Sequence, residues 1–202
     1  MVNISSSTTI FLDFDDTLFD YSRAVNWLLE EIEPYGISKL DWDKTYAQIK
    51  KRYGLYNRVE HFKLMSEKIS KDIDLLAIQK KYITKTDTSI FKDATRFLER
   101  YKENPIYIIS YGETEYQMEK ILNANMTKYT KDIVVTRGNK ADAIAQIPYE
   151  SAIFIDDRVG HLQDVFNSNK CKNITTILID RLGKHEEGKV RTYEVISTLD
   201  DL

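Results

Sequence analysis

Two aspartates lie two residues apart, just after a short apolar run near the start of the sequence. They are Asp13 and Asp15, within the acidic segment 13–16. Side chains two positions apart on a strand point to the same face, and a turn that begins there can separate their directions. One carboxylate could then attack a phosphorus atom while the other serves the leaving oxygen. The spacing therefore supplies a candidate nucleophile and a candidate general acid/base.

A second acidic pair, Asp156 and Asp157, follows another short apolar run. In an open parallel sheet, ligand-binding residues collect at the carboxyl ends of the strands, so both acidic pairs are expected at the same edge. Carboxylates brought together there repel each other and require a cation. Oxygen ligands with retained water suit Mg²⁺ better than a soft metal. The sequence therefore predicts a hard divalent cation, with Mg²⁺ as the expected cofactor.

Residues suited to hold a phosphoryl group lie between the two acidic pairs. The segment Ser110-Tyr111-Gly112 follows an apolar run, and Lys140 stands at the start of a helical pattern. The serine offers a hydroxyl donor, the lysine a fixed positive charge, and the glycine a close approach of backbone amides. Together with the carboxylates, they predict a site for phosphoryl transfer.

Five brief apolar runs predict the strands that position these residues. Their hydrophobicity is continuous rather than alternating, which indicates strands covered on both faces. Helical patterns separate the last four runs, so strands and helices alternate as in an α/β protein with a parallel sheet. The predicted strands are Thr9–Phe14, Ile106–Ser110, Ile133–Thr136, Ala152–Ile155 and Ile174–Ile179.

A helical insertion is predicted between the first and second strands. The stretch 20–85 has no convincing strand but four apolar faces at helical spacing, the second of them preceded by Asp41 as an expected cap. A further helix over 91–101 leads back to the sheet. The four faces are Ala24, Trp27, Leu28 and Ile32; Trp42, Tyr46 and Ile49; Val59, Phe62, Met65 and Ile69; and Ile73, Leu76 and Tyr82.

Composition narrows the classes of partner. The 202 residues allow one domain, or one with a sizeable insertion. The net charge is −3 and no long basic stripe occurs, so neither a nucleic-acid polymer nor a membrane is an expected partner. Cys171 is the only cysteine, which excludes an internal disulfide and predicts a small buried side chain. No signal peptide or membrane span can be drawn, and a cytoplasmic location is expected.

The motifs resemble those of the haloacid-dehalogenase (HAD) superfamily. The run 11–18 is similar to that family's first motif, Ser110 to its second, Lys140 to its third and the pair 156–157 to its fourth, in the family's order. The resemblance covers almost the whole chain. It implies a Rossmann-like core over residues 1–19 and 86–202, with residues 20–85 as a helical C1-type cap.

This resemblance also implies roles for the residues. Asp13 would form an aspartyl-phosphate, Asp15 would protonate the leaving group and then activate water, and Lys140 would balance charge. Ser110 would hold a phosphoryl oxygen, with Tyr111 and Gly112 beside it. The implied Mg²⁺ ligands are Asp13, Asp15 through its backbone carbonyl, Asp156 and, close behind, Asp157.

Two positions depart from the family pattern. Asp16 stands where glycine is commonest, and Ala141 follows Lys140 where proline is frequent. The second departure leaves Arg137 or Lys131 as substitutes for Lys140.

The leading function is hydrolysis of a small phosphomonoester, with nucleotides and sugar phosphates as candidates. A phosphomutase is the enzymatic alternative, and a phospho-accepting receiver module is the alternative of another class. Receivers carry the acidic pair on their first strand and have no place for a long insertion. Dehalogenation is disfavoured because that chemistry does not need the predicted Mg²⁺ site.

Other patterns are expected to be structural. The segment 183–189 has the glycine and lysine spacing of a P-loop but lacks the required Ser or Thr, so a nucleotide site is rejected there. The loop around 51–58 is expected to carry solvated charges, although Tyr56 and Arg58 could influence substrate choice. Three histidines, His61, His161 and His185, are predicted as surface or capping residues, with His161 and Arg158 near the site rim.

Overall fold

Six parallel strands form one sheet in the computed structural model, which describes residues 4–68, 74–183 and 193–202. The order across the sheet, numbered along the chain, is 3-2-1-4-5-6. The α/β architecture predicted from the sequence is therefore confirmed. In chain order the strands are β1 (Thr9–Leu12), β2 (Ile106–Tyr111), β3 (Asp132–Thr136), β4 (Ala152–Asp156), β5 (Ile174–Ile179) and β6 (Glu194–Ile196).

Strand β1 lies inside the sheet, paired with β2 on one side and β4 on the other. Its side chains alternate between two apolar clusters: Ile10 and Leu12 belong to the cluster on one face, and Phe11 belongs to the other. All three are fully buried. Because both faces of the strand are covered, its apolar run is continuous, as the sequence analysis expected.

Two strand predictions need correction. The first strand was expected to extend to Phe14, but it ends at Leu12, and a turn over residues 16–18 follows. The edge strand β6 was not predicted. It has only three residues, of which Glu194 and Val195 are exposed, so it lacks the continuous apolar run that marks the other strands.

Eight α-helices occur in the part of the chain that is described. Four follow β1 as the predicted insertion, one leads back to the sheet, and three connect the later strands. They are α1 (Tyr21–Ile32), α2 (Lys39–Tyr53), α3 (Arg58–Ser66), α4 (Leu75–Thr84), α5 (Lys92–Arg100), α6 (Thr114–Asn123), α7 (Lys140–Ile144) and α8 (Val159–Phe166).

The ends of the insertion helices follow from side-chain caps. Asp20 accepts a hydrogen bond from the Arg23 backbone at 2.8 Å and so begins α1. Ser38 is the N-cap of α2, and Asp41, which was expected to be the cap, is instead the reciprocal partner of Ser38 in a capping box. Val59 was expected on the buried face of α3, yet it is 61% exposed. Ile69 and Ile73, expected on two of the apolar faces, lie outside the described residues.

The insertion packs directly on the sheet domain. Leu28 and Phe62 share one apolar cluster with Ile10 of β1. The half-buried side chain of Arg58 also forms an ion pair with Glu119 of α6 at 2.5 Å. The division into a core of residues 1–19 and 86–202 and a cap of residues 20–85 stays a prediction, since a shared cluster joins the two parts.

Three further predictions concern the cysteine, membrane-spanning helices and the P-loop-like segment. Cys171 is buried as expected, and its thiol donates to the carbonyl of Ala141 at 3.4 Å. None of the helices that can be described is long and apolar enough to cross a membrane. The P-loop-like segment 183–189 falls outside the described residues from position 184 onwards, and so does His185.

Candidate active site at the carboxyl end of the sheet

A buried lysine joins the two acidic motifs. The ammonium of Lys140 donates to Asp13 and, at 2.7 Å, to Asp156. Lys140 and Asp156 are at most 1% exposed, and Asp13 is 5% exposed. The residues named in the first, third and fourth motifs therefore meet at one point, although they are up to 143 positions apart in the chain.

Secondary structure fixes each member of this group. The backbone N–H of Asp13 donates to the Ile155 carbonyl at 2.9 Å, which continues the pairing of β1 with β4. Asp156 is the last residue of β4, and Lys140 is the first residue of α7. The side chain of Asn139 caps α7 by accepting from the Ala141 backbone at 2.7 Å.

The two cations considered as substitutes for Lys140 lie elsewhere. Arg137 forms an ion pair with Glu113 at 3.2 Å. The ammonium of Lys131 lies 5.9 Å from the centre of the Tyr107 ring. In this structure Lys140 is thus the residue that contacts both acidic motifs, although alanine follows it.

Three carboxylates form a group suited to a metal ion. Asp13, Asp156 and Asp157 each offer an oxygen, and these oxygens all lie within 4.8 Å of one another. Asp15, also predicted as a ligand, directs its carboxylate elsewhere. Only its backbone carbonyl, the atom that the resemblance implies, is left as a candidate metal ligand.

The protonation equilibria of these carboxylates reflect burial and mutual repulsion. Burial raises the pKa of Asp13 to about 7, with Lys140 opposing the shift and Asp156 adding to it. Burial also raises the pKa of Asp157 to about 8, and the charge of Asp13 contributes. A divalent cation would relieve this repulsion, and three hard oxygen donors fit Mg²⁺.

The pKa of Asp156 shifts in the opposite direction, because several hydrogen-bond donors contact its carboxylate. Burial acts to raise its pKa, but Lys140 and His161 outweigh burial and lower it. Nδ1 of His161 lies 3.1 Å from Oδ2 of Asp156, and the backbone N–H of Arg158 donates to Oδ1 at 2.8 Å. His161 was predicted as a surface or capping residue near the rim. It is instead half-buried and in direct contact with the acidic motif.

The second aspartate of the first motif has partners that sequence reasoning missed. Asp15 accepts from Lys120 at 2.5 Å and from the side-chain amide of Gln117 at 2.8 Å. Both donors lie on α6, three residues apart and therefore on one face. Lys120 is only 1% exposed. A lysine in a polar helix gives no sequence signal of burial, so only the tertiary structure reveals it.

Aromatic rings surround this buried ammonium. Its nitrogen lies 4.8 Å from the ring centre of Tyr116, 5.3 Å from that of Phe19 and 5.6 Å from that of Tyr21. Ring faces attract cations, which offsets part of the cost of removing the ammonium from water. The ion pair with Asp15 offsets a further part.

The departure at Asp16 has a backbone explanation. Asp16 has φ of 58°, in the left-handed region where glycine is favoured and aspartate is among the better-tolerated alternatives. Its N–H donates to the Phe19 carbonyl at 2.7 Å, which closes the turn after β1. This turn follows directly after the two aspartates of the first motif.

The predicted phosphate-binding residues have distinct environments. The Ser110 hydroxyl is buried and has no hydrogen-bond partner among the described residues, as expected of a donor that awaits a ligand. The N–H of Gly112, by contrast, donates to the Thr136 carbonyl at 3.0 Å. A Cβ at Gly112 would lie 2.8 Å from Cγ of Gln117, so the missing side chain makes room for the residue that holds Asp15. The carbonyl of Tyr111 also accepts from Gln117, at 3.2 Å.

A cavity of about 310 Å³ opens onto Asp13, Asp15 and Asp157. Helices of the insertion and loops of the sheet edge both contribute to its wall. Tyr56 lines it, whereas Arg58, also expected to influence substrate choice, is directed towards Glu119 on α6.

No protein-family model and no curated protein matches the chain. Solved structures do match, each over nearly the full length of both chains. The magnesium-bound YfnB of Bacillus subtilis, a HAD-hydrolase by name, is 16% identical with a TM-score of 0.63, and 96% of each chain is covered. The HAD phosphatase of Thermococcus onnurineus is 18% identical with a TM-score of 0.67, covering 96% of this chain and 95% of its own.

The L-2-haloacid dehalogenase of Xanthobacter autotrophicus, with chloropropionic acid covalently bound, is also similar. It is 13% identical with a TM-score of 0.65, and 96% of each chain is covered. These matches span both the sheet and the helical insertion after β1. The chain therefore has the fold of the HAD hydrolases, including a helical insertion at the position of the C1 cap.

Proposed function

We propose that this protein is a Mg²⁺-dependent phosphatase that hydrolyses a small phosphomonoester through an aspartyl-phosphate on Asp13. The observation that carries the proposal is the contact of Lys140 with both Asp13 and Asp156, next to Asp157. A nucleophilic carboxylate, a fixed cation and a cluster of oxygen ligands are thereby combined at one edge of the sheet, where Asp13 and Asp157 open onto the cavity.

In the first step, a carboxylate oxygen of Asp13 attacks phosphorus and the leaving oxygen departs. Lys140 balances the charge of the carboxylate and of the phosphoryl group. The buried hydroxyl of Ser110 donates to a phosphoryl oxygen, which satisfies its hydrogen-bonding capacity. Mg²⁺ held by Asp13, the Asp15 carbonyl, Asp156 and Asp157 would neutralise developing negative charge.

Asp15 is the proposed general acid/base. It protonates the leaving oxygen, then accepts a proton from the water that attacks the phosphorus of the aspartyl-phosphate. Lys120 and Gln117 fix its carboxylate at the cavity wall, away from the three clustered carboxylates. This separation supports different roles for the two aspartates of the first motif.

The proposed substrates are nucleotides or sugar phosphates of a size that the cavity accepts, with the cap of residues 20–85 over them. A phosphomutase would use the same aspartyl-phosphate but return the group to substrate. Dehalogenation is the second candidate, because the fold also matches a haloacid dehalogenase. The clustered carboxylates and the buried Ser110 hydroxyl favour phosphoryl transfer.

The experiment is a screen of phosphomonoesters with Mg²⁺, run beside L-2-chloropropionate. We expect inorganic phosphate from at least one ester, no chloride release, and loss of both turnover and Mg²⁺ dependence in Asp13→Asn. Asp164→Asn is the matched control, since that aspartate is exposed on α8. Chloride release without phosphate release would replace the proposal with dehalogenation.

A further inference from the structure

The geometry points to a phosphomonoester with a flat aromatic leaving group as the substrate class, bound between tyrosine rings of the insertion and of the sheet domain. This inference rests on the proposed phosphatase function and narrows it. It concerns the part of the substrate beyond the phosphoryl group. The observation is a wall of tyrosines in the cavity that opens onto the aspartates: Tyr21, Tyr46, Tyr56, Tyr111 and Tyr116.

Three of these rings lie side by side, although separate elements contribute them. The ring centre of Tyr46 on α2 lies 5.1 Å from that of Tyr56 in the following loop. The ring of Tyr56 in turn lies 5.6 Å from that of Tyr116 on α6. Such spacings are typical of interacting aromatic side chains. An aromatic guest placed here would extend an arrangement that the protein already makes.

The wall is held in place before any ligand binds. Thr45 donates to the Asp41 carbonyl at 2.7 Å, so its hydroxyl oxygen accepts from Nε2 of His61, also at 2.7 Å. Nδ1 of His61 is then the acceptor for the hydroxyl of Tyr56 at 3.1 Å. Rings fixed in this way lose little conformational freedom on binding, which favours a rigid partner.

Tyr116 is fixed from the other side. The guanidinium of Arg58 lies 5.0 Å from the centre of the Tyr116 ring. The hydroxyl of Tyr116 lies 3.4 Å from the hydroxyl of Tyr82. The Tyr116 ring is thus held by Arg58 and Tyr82, which lie outside the cavity, and it also contacts Lys120, whereas the half-buried Tyr56 presents more of its surface to a ligand.

Two acidic side chains of the cavity are already engaged by the protein, which leaves fewer acceptors for a sugar. The Asp15 carboxylate is held by α6. Glu113 accepts from the Tyr116 backbone at 2.7 Å and pairs with Arg137. A polyhydroxylated leaving group needs several uncommitted donors and acceptors, whereas a flat ring needs only apolar faces. Leu55 adds a further apolar side chain.

The test compares benzyl phosphate with cyclohexylmethyl phosphate. Both release a primary alkoxide and make similar demands on Asp15, so they differ chiefly in the flatness and the π system of the ring. We expect kcat/KM to favour benzyl phosphate by about two- to twelvefold, the range of a single aromatic contact. Equal values, or a preference for the saturated ring, would overturn the inference.

Variants of Tyr46 test whether the preference for benzyl phosphate comes from the wall of tyrosines. Tyr46→Leu should bring the ratio of the two kcat/KM values close to one, whereas Tyr46→Phe should keep it because the ring remains. Tyr53→Leu is the control, since Tyr53 is exposed at the end of the same helix. An unchanged ratio in Tyr46→Leu would also overturn the inference.

The outcome separates this inference from the proposed function. Hydrolysis of both esters at equal efficiency leaves the phosphatase proposal intact and removes the aromatic substrate class. Failure to hydrolyse these esters, any other phosphomonoester in the screen, and the acyl phosphate acetyl phosphate would remove both.

Discussion

The ammonium of Lys120 lies 2.5 Å from a carboxylate oxygen of Asp15. The lysine comes from α6, which follows the second strand, and the aspartate comes from the turn after the first. A buried lysine without a partner would be costly, so the pair constrains both the turn and the helix. The proposed acid/base is thereby positioned by a residue outside the four motifs.

Replacing Lys120 with Met should therefore affect turnover through Asp15. We expect kcat for benzyl phosphate to fall by roughly tenfold or more, because part of the roughly 10²- to 10⁴-fold contribution of general acid/base catalysis is lost when Asp15 is misplaced. The loss should be smaller for acetyl phosphate, whose leaving group needs no protonation. Steady-state rates with the two substrates measure this difference.

Lys128→Met is the matched control, because Lys128 is an exposed lysine just after the same helix. A merely structural role for Lys120 predicts equal losses for both substrates. Equal losses would contradict the positioning role.

Metal binding should stabilise the fold through the three clustered carboxylates. A ligand at 100 times its dissociation constant stabilises the native state by about 2.7 kcal/mol, so Mg²⁺ should raise the unfolding temperature. In Asp157→Asn the increase should shrink, because one oxygen ligand loses its charge. Asp164→Asn should retain the full increase. Thermal unfolding with and without Mg²⁺ provides the measurement, and identical shifts in all three proteins would refute the assigned site.

His61 should make the protein sensitive to acid. Burial lowers the pKa of His61 to about 4, below the usual value of 6.5. Between these values the unfolded chain binds a proton that the folded chain does not. Stability that is present above about pH 6.5 is therefore lost as the pH falls towards 4, by roughly 2 kcal/mol at pH 5.

Urea unfolding at pH 7 and pH 5 measures this loss. In His61→Gln the decrease in the free energy of unfolding between pH 7 and pH 5 should be smaller by roughly 2 kcal/mol than in the unmodified protein. This difference does not depend on how stable the variant is at pH 7. The same pH dependence in both proteins would show that His61 does not titrate in this way. His61 was expected at the surface, but it is fully buried within the insertion.

The sheet was predictable because its strands carry a local signal. Buried parallel strands read as short continuous apolar runs, and β1 to β5 all have them. The acidic pairs and Lys140 were predictable as a group because each stands at an element end on the same edge of the sheet. Strand β6 carries no such signal, since two of its three residues are exposed.

The environment of Asp15 was not predictable for a different reason. Lys120 and Gln117 are ordinary polar residues of a helix, and nothing in their spacing indicates a partner more than 100 positions earlier. His61 lies beside an apolar helical face, but a histidine there gives no signal of its own, and its burial depends on how α2 packs on α3. Such contacts arise from tertiary packing rather than from periodicity.

The central claim is that Asp13 carries the phosphoryl group. Rapid quenching of the enzyme during turnover of benzyl phosphate with Mg²⁺, followed by mass spectrometry of its peptides, tests this directly. The account predicts a phosphoryl adduct on the peptide that contains Asp13, absent without substrate and absent in Asp13→Asn. Sustained turnover by Asp13→Asn, or an adduct on another residue, would contradict it.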